Sequence, residues 1–378
     1  MKQLVKFELY KIFKQKSIYI GLFLILLLSS LNDFNIPLVD SYKPKDLQGE
    51  MQKVSQNWEG ELTNEKIEAA DTFQESFIQK GFDRSLTKEE AAEDYMVQSF
   101  YDYVNVEKVA IPYRIQELDN ELTKYSENDF SYKKAILEKN MLQNIKADTV
   151  EHKAGAENII EFSGYFSRYI TGIILLIGLA GIFVNENNTG MDQLVYSSKH
   201  GRRKGVTAKI IASIIYVLFV ILSWVSYTVL MNTYIYGSSG WDAPIQVANL
   251  VSQLSPYDLT MLEYFLIQIG IHLLVAIAFM SFVLIVSALS KNILTSFIIS
   301  GTVFILPTIS FGIPLWEYVM KYSFANFLIS PEFTENLTVY NLFGNPVLTP
   351  YVHYPFIAIV TIILMVVVFK TIKRKQVA

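Results

Sequence analysis

Long apolar segments constrain this 378-residue chain most, because a soluble domain rarely contains one. The hydrocarbon core of a bilayer is about 30 Å thick, so a helix of about 20 apolar residues crosses it. Five stretches meet this requirement with few charges inside them. They are residues 162–184, 210–231, 262–289, 293–312 and 352–370. The sequence therefore predicts an all-α membrane protein.

A sixth candidate span lies near the N-terminus, where Ile18–Leu31 is apolar for only 14 residues. We extend it to residues 18–38, with the flanking lysines reaching back to the interface. A cleaved signal peptide is the alternative interpretation. The basic region before the segment is long and no A-x-A-like site follows it, so we favour a span.

The positions of Lys and Arg predict the orientation of these six spans. With both termini in the cytoplasm, the inner segments carry fifteen Lys and Arg, whereas the short outer loops, residues 232–261 and 313–351, carry Lys321 alone. An inner tail follows at residues 371–378. Lys outnumbers Arg 26 to 6, a composition common in bacteria with AT-rich genomes. We therefore expect a multi-pass protein of the bacterial plasma membrane.

Charge separates one block from the rest of the chain. Between Asn32 and Ile160 there are 15 basic and 26 acidic residues, whereas the remainder has 17 and 10. Residues 39–161 thus form an acidic outer domain, predicted to be helical. Thr87 and Glu90 make a capping box, Pro112 suits a helix start, and an apolar face follows at Ile136, Met141, Leu142 and Ile145. Its aromatic residues either pack in its own core or form a ligand-binding face.

Composition and missing motifs exclude several classes of function. Only 18% of residues are charged and 51% are hydrophobic, which argues against a soluble or disordered chain. The basic residues flank apolar segments, so we expect no nucleic-acid partner. The sequence lacks the P-loop, H-E-x-x-H, G-x-S-x-G and G-x-G-x-x-G patterns and contains no cysteine; its four histidines are widely separated. We predict no catalytic residue, no metal site and no enzyme activity.

Two inner segments carry patterns that need an explanation. In residues 1–17, Val5, Leu9 and Ile12 share one helical face among lysines such as Lys11. Such a helix can lie in the inner interface with this face toward the membrane; it can also be simply the start of span one. The loop 185–209 begins acidic, contains a short apolar run and ends basic. Its apolar run needs a partner, unless the loop is only a charged anchor.

These segments resemble the permease subunits of bacterial ABC exporters of the second type, the drug and polysaccharide exporter class. The resemblance rests on Phe7–Ser17, on the loop from Phe183 to Lys209, and on the turn Ser287–Asn292. It implies an amphipathic elbow helix at residues 1–17 and a coupling helix that docks on a separate cytoplasmic ATPase. The implied coupling residues are Glu186, Gly190, Asp192, Leu194, Tyr196, Ser197, Arg202 and Arg203. ATP and Mg²⁺ would bind to that partner, and a second permease subunit would complete the transporter.

Polar side chains inside the predicted spans mark a possible translocation path. Gln268 and His272 are one helical turn apart on span four, and Asn292 and Thr295 lie at the start of span five. Intramembrane polar residues often serve function. The alternative is that they only join helices through hydrogen bonds, which contribute about 0.6–2 kcal/mol each.

The expected function is therefore the permease subunit of an ATP-driven exporter. An antimicrobial peptide, a drug or a lipid-linked molecule would suit its apolar spans, and membrane lipid is an expected partner. A membrane sensor whose acidic domain binds an extracellular ligand is the main alternative, although the longest inner loop is too short for a signalling enzyme. An integral-membrane enzyme is a third possibility, but no convergent set of ionisable groups supports it.

Overall fold

A computed structural model describes residues 1–35, 42–80, 86–190 and 201–374 of the chain. The described fold is mostly helical and agrees with an all-α membrane protein. Two short antiparallel strand pairs add to it, β1–β2 and β3–β4. The first pair has two residues in each strand, too few for an alternating pattern to be recognised in the sequence. The strands are β1 (Gly60–Glu61), β2 (Thr149–Val150), β3 (Val339–Leu342) and β4 (Asn345–Leu348).

Most of the helices form an apolar bundle. Its core joins residues of the first two helices to those of the long helices later in the chain. The helices are α1 (Lys2–Phe13), α2 (Lys16–Asn35), α8 (Ala154–Leu179), α9 (Val184–Thr189), α10 (Gly201–Tyr236), α11 (Met261–Leu289), α12 (Ile293–Ile305) and α15 (Thr349–Arg374).

Four candidate spans occur in the described part of the chain: Ala154–Thr189, Arg203–Tyr236, Met261–Leu289 and Thr349–Ile372. Helices α1 and α2 qualify only together, as a pair bent by 56°, and the apolar helix Ile293–Thr308 is shorter than a normal span. The predicted spans at residues 18–38 and 293–312 do not by themselves contain a helix long and apolar enough to cross a membrane. The count of six spans therefore stays a prediction.

The acidic block folds around a hydrophobic core of its own. Its helices are α3 (Pro44–Trp58), α4 (Asn64–Lys80), α5 (Lys88–Val104), α6 (Ile111–Leu122) and α7 (Phe130–Leu142). The predicted capping box is present, since the Thr87 side chain accepts from the Glu90 N–H and the Glu90 carboxylate accepts from the Thr87 N–H. Pro112 lies in the first turn of α6, as predicted. A π-helix, Asn105–Ala110, connects α5 to α6 without a break, and this wider turn accommodates a residue without an N–H.

Helix α8 belongs to both hydrophobic cores. It begins at Ala154 and not at residue 162, where the predicted span starts, and runs for 26 residues. Its first turns bury Ile159 and Ile160 in the core of the acidic domain, and its later turns bury Ile170 and Ile174 in the bundle. The two parts of the molecule are therefore connected by continuous helix instead of a flexible linker.

A buried lysine stabilises this connection between the acidic domain and the bundle. Lys153 is 2% exposed and its ammonium donates to Asp102 of α5 at 2.8 Å, to Glu157 of α8 at 3.1 Å and to the Val247 carbonyl at 2.6 Å. The Glu157 carboxylate also accepts from the Asn249 N–H at 2.7 Å. The acidic domain, α8 and the loop between α10 and α11 are thus held together by one ionic cluster.

The segment between α12 and α15 lies at the same end of the bundle as this junction. It contains two short helices, α13 (Pro314–Met320) and α14 (Phe324–Phe327), followed by the β3–β4 hairpin. The Ser252 N–H donates to the Thr334 carbonyl at 2.8 Å, and Lys133 of α7 donates to Asn345 of β4 at 2.9 Å. These bonds join the segment to the α10–α11 loop and to the acidic domain.

Candidate functional site at the elbow and coupling segments

Four charged side chains from three helices meet at the opposite end of the bundle. Lys209 of α10 donates to Glu8 of α1 at 2.8 Å and to Glu186 of α9 at 2.7 Å. Lys11 of α1 donates to the same two carboxylates, at 3.1 Å to Glu8 and 2.6 Å to Glu186. We call these four residues the elbow junction. Two positive and two negative charges balance within it.

The elbow junction is largely shielded from solvent. The side chains of Lys209, Glu8 and Glu186 are 4%, 10% and 13% exposed. Removing charges from water is costly, and only close pairing with good hydrogen bonds offsets that cost. The arrangement is therefore stable only while all three helices keep their relative positions, so it links α1, α9 and α10 mechanically.

Glu186 was predicted as an ATPase-coupling residue, which stays a prediction, and the structure shows which side chains hold its carboxylate. Both Lys11 and Lys209 bind it, so it orients the start of the coupling segment instead of presenting a free charge. Helix α9 then ends at Gly190, whose φ of 67° is readily adopted by glycine. The chain leaves the junction at this point.

The remaining predicted coupling residues are only partly covered by the structure. Asp192, Leu194, Tyr196 and Ser197 lie outside the described residues, as does the side chain of Arg202. Arg203 is exposed in the first turn of α10. Their role in coupling remains a prediction.

The predicted elbow segment forms a helix, α1, but the face that it turns toward the protein is not the one we expected, and its role as an elbow stays a prediction. Ile12 is 1% exposed and packs in the bundle core with Val5 and Leu9. The face we assigned to the membrane interface therefore contacts the protein. The exposed apolar stripe is formed by Leu4, Phe7 and Tyr10. Helical periodicity identifies an apolar face, but it does not say what covers that face.

The sequence analysis did not predict the ion pair between Glu8 and Lys209. A signal was present, because Glu8 is the first acidic residue of the chain and the next is Asp33. Glu8 also shares the helical face of Val5 and Ile12, so its burial beside them implies a basic partner. The partner, Lys209, is 201 positions away. No local pattern identifies a pair at that separation.

Two of the residues predicted for a translocation path lie inside the bundle. Gln268 and His272 are 1% and 0% exposed. His272 Nε2 shares a hydrogen bond of 2.7 Å with the Thr171 hydroxyl of α8, and its ring centroid lies 5.1 Å from that of Trp224 on α10. The Gln268 amide forms no hydrogen bond with the described residues. In this conformation His272 connects α11 to α8, and both side chains are buried within the chain.

The other two predicted path residues perform a local task. The Asn292 side chain accepts from the Thr295 N–H at 2.8 Å and from its hydroxyl at 2.9 Å, and so caps α12. Leu289, at the end of α11, lies seventeen positions from His272, about 25 Å along the helix. The structure therefore does not bring the four residues into one site.

An apolar helical bundle, a long helix leaving it on one side and a charge-balanced elbow junction on the other are consistent with a multi-pass membrane protein. Within the described residues, no group of three His, Cys, Asp or Glu side chains could hold a metal ion. The sequence model of one family, the ABC-2 family transporter proteins, matches residues 3–367, which is nearly the whole chain. The chain therefore belongs to this family. No curated protein and no solved structure matches it.

Membership of this family establishes the broad role. Its members are membrane-embedded permease components of ABC transporters, and they associate with an ATP-binding subunit that hydrolyses ATP. The family gives no support to the alternative of a membrane sensor.

Proposed function

We propose that this chain is the permease subunit of an ATP-driven exporter that moves an amphipathic substrate out of the cell or out of the membrane. Six spans would place both termini in the cytoplasm and the acidic domain outside. Two permease subunits, identical or different, would act with two ATPase subunits of a bacterial plasma membrane. ATP and Mg²⁺ would bind in those subunits, because this chain contains no P-loop.

The elbow junction is the observation that carries this proposal. Glu186 belongs to the segment that would contact the ATPase, and its carboxylate binds Lys11 of the elbow helix and Lys209 of α10. A displacement of residues 186–198 by the ATPase would therefore move α1 and α10 together. Helix α8 packs on α10 and α11, so the same displacement would spread through the bundle.

The apolar side chains exposed on the helices of the bundle support the proposal of an amphipathic substrate. Two polar side chains of α11, Gln268 and His272, are buried within the chain. Helices α12 and α15 instead expose apolar side chains, including Ile298, Phe356 and Ile363. A path between two permease subunits would be lined by such faces, and a molecule with a large apolar part would interact with them favourably.

The test is to purify the full chain from its native membranes and identify the proteins that accompany it. We expect a P-loop ATPase, and we expect deletion of residues 192–198 to abolish its recovery and its coupled transport. A matched control replaces Leu342 and Phe343, two exposed residues of the hairpin tip at the opposite end, with serines and should leave both unchanged.

Recovery of no ATPase, or full transport by the deletion variant, would contradict the proposal. The chain alone in vesicles should hydrolyse no ATP, and measurable hydrolysis would equally overturn it.

A further inference from the structure

A groove of about 400 Å³ lies beside the elbow junction, between α1 and the connection from α8 to α9. Phe7, Tyr10 and Lys14 line it on the elbow side, and Gly181 and Thr189 line it on the other. Glu186 and Lys11 also face it, so whatever occupies the groove contacts the junction directly.

One wall of the groove is suited to a hydrocarbon chain. Phe7 and Tyr10 are 52% and 60% exposed, and with Leu4 they form the uncovered stripe of α1. Residues three apart on a helix lie on one face, so the stripe is continuous along the helix. In a membrane protein such a stripe is stable against lipid and costly against water.

The rim of the groove carries positive charge that the protein does not neutralise. Lys14 is exposed and forms no ion pair with any described residue; its ammonium lies 5.7 Å from the Tyr10 ring centroid. Lys2, Lys6 and Lys16 are also exposed nearby in the chain but do not line the groove. The one acidic residue of the elbow, Glu8, is already bound by Lys11 and Lys209. A ligand with both a phosphate and an apolar chain complements this combination.

We propose that this groove binds one anionic phospholipid, with its phosphate at Lys14 and an acyl chain along Phe7 and Tyr10. The site depends on the elbow lying at the membrane surface and not on the substrate or direction of transport. Because the bound lipid would contact Glu186 and Lys11, it would stabilise the position of α1 against α9.

The test uses native mass spectrometry of the purified full chain after detergent exchange, with dioleoylphosphatidylglycerol or dioleoylphosphatidylcholine as the added lipid. We expect one phosphatidylglycerol to remain bound and phosphatidylcholine to be lost. K14Q removes the phosphate contact, and T189F fills the groove from its other wall without changing charge. K14Q should lower the affinity for the lipid about tenfold or more, because a hydrogen bond to a charged group contributes about that factor. T189F should lower it by excluding the acyl chain from the groove.

The matched control is K6Q, which removes one lysine from the same helix outside the groove and should retain the lipid. Equal loss in K6Q and K14Q would show general attraction to a basic surface and overturn the site. So would equal retention of the two lipids, full occupancy in T189F, or displacement of the lipid by glycerol phosphate at similar concentration. Thr189 and Lys14 are exposed, and unchanged melting temperatures would confirm that both variants fold.

Discussion

At the scale of single residues, Lys209 has the largest predicted effect on stability. It is the cation that contacts both carboxylates of the elbow junction while being nearly inaccessible to solvent. Lys209→Met would leave Glu8 and Glu186 with Lys11 alone. Removing one partner of a buried ion pair costs about 3–5 kcal/mol, so we expect a loss of that order in the free energy of unfolding. Denaturant titration of the full chain in detergent measures it.

Lys204→Met provides the control for that variant. Lys204 lies on the same helix and is exposed, so its replacement should change the free energy by no more than about 0.5 kcal/mol. Equal effects of the two substitutions would show that the junction does not stabilise the bundle.

The burial of His152 predicts how the stability of the acidic domain depends on pH. Its ring is buried, with Nδ1 3.2 Å from the Met96 sulfur and Nε2 3.4 Å from the Tyr236 carbonyl oxygen. Burial lowers the pKa of His152 below its ordinary value of 6.5. Below about pH 6.5 the unfolded chain therefore binds a proton that the folded chain resists, and stability falls as the pH decreases.

The measurement compares melting temperatures of wild type and H152Q at pH 7.5 and pH 5.5. Wild type should lose more stability than H152Q between these values. Burial raises the pKa of Asp94 and Glu151, which acts in the opposite direction in both proteins, so the difference between the proteins isolates His152. Identical pH dependence would refute the assignment.

At the scale of secondary-structure elements, one glycine sets how closely two helices approach. A Cβ on Gly172 of α8 would lie 2.2 Å from the Phe304 ring of α12. Gly172→Ala therefore forces the ring or the helix to move, and we expect a loss of about 1–3 kcal/mol, typical of overpacking. The double variant G172A/F304L makes space for the methyl group.

We expect the double variant to be more stable than the sum of its two single variants, as thermal unfolding of all four proteins would show. Additive effects would mean that α8 and α12 do not contact each other through these residues.

Sequence predicts elements well where the signal is local. The Thr87–Glu90 capping box was predicted and is present, and Thr260 and Glu263 form a second one, with the same spacing, that we overlooked. The elbow segment also forms a helix, α1, and its role as an elbow stays a prediction. Its orientation was wrong because Val5, Leu9 and Ile12 are equally suited to lipid and to protein. The junction that joins Glu8 to Lys209 depends on tertiary structure, and no sequence pattern reaches that far.

At the scale of the whole molecule, the predicted orientation can be tested directly because the chain contains no cysteine. Asn128→Cys, in the acidic domain, and Asn188→Cys, at the coupling segment, replace the same residue type at two exposed positions. A maleimide that does not cross membranes should label Cys only in N128C when cells are intact. After lysis it should label both variants.

Labelling of N188C alone in intact cells would show that the orientation is the reverse of the predicted one. Labelling of both variants in intact cells would place the two sites on the same side and exclude an odd number of crossings between them.

Helix α8 has a consequence for how activity can be observed. It is a 26-residue rod, about 39 Å long, without a proline, and Lys153 anchors its upper end in the acidic domain. A rotation of α8 at its Leu179 end would also rotate Ala154, because no break interrupts the helix between them. In the proposed transporter, a fluorophore on the surface of the acidic domain would therefore report a rotation of α8 that begins at the other end of the bundle.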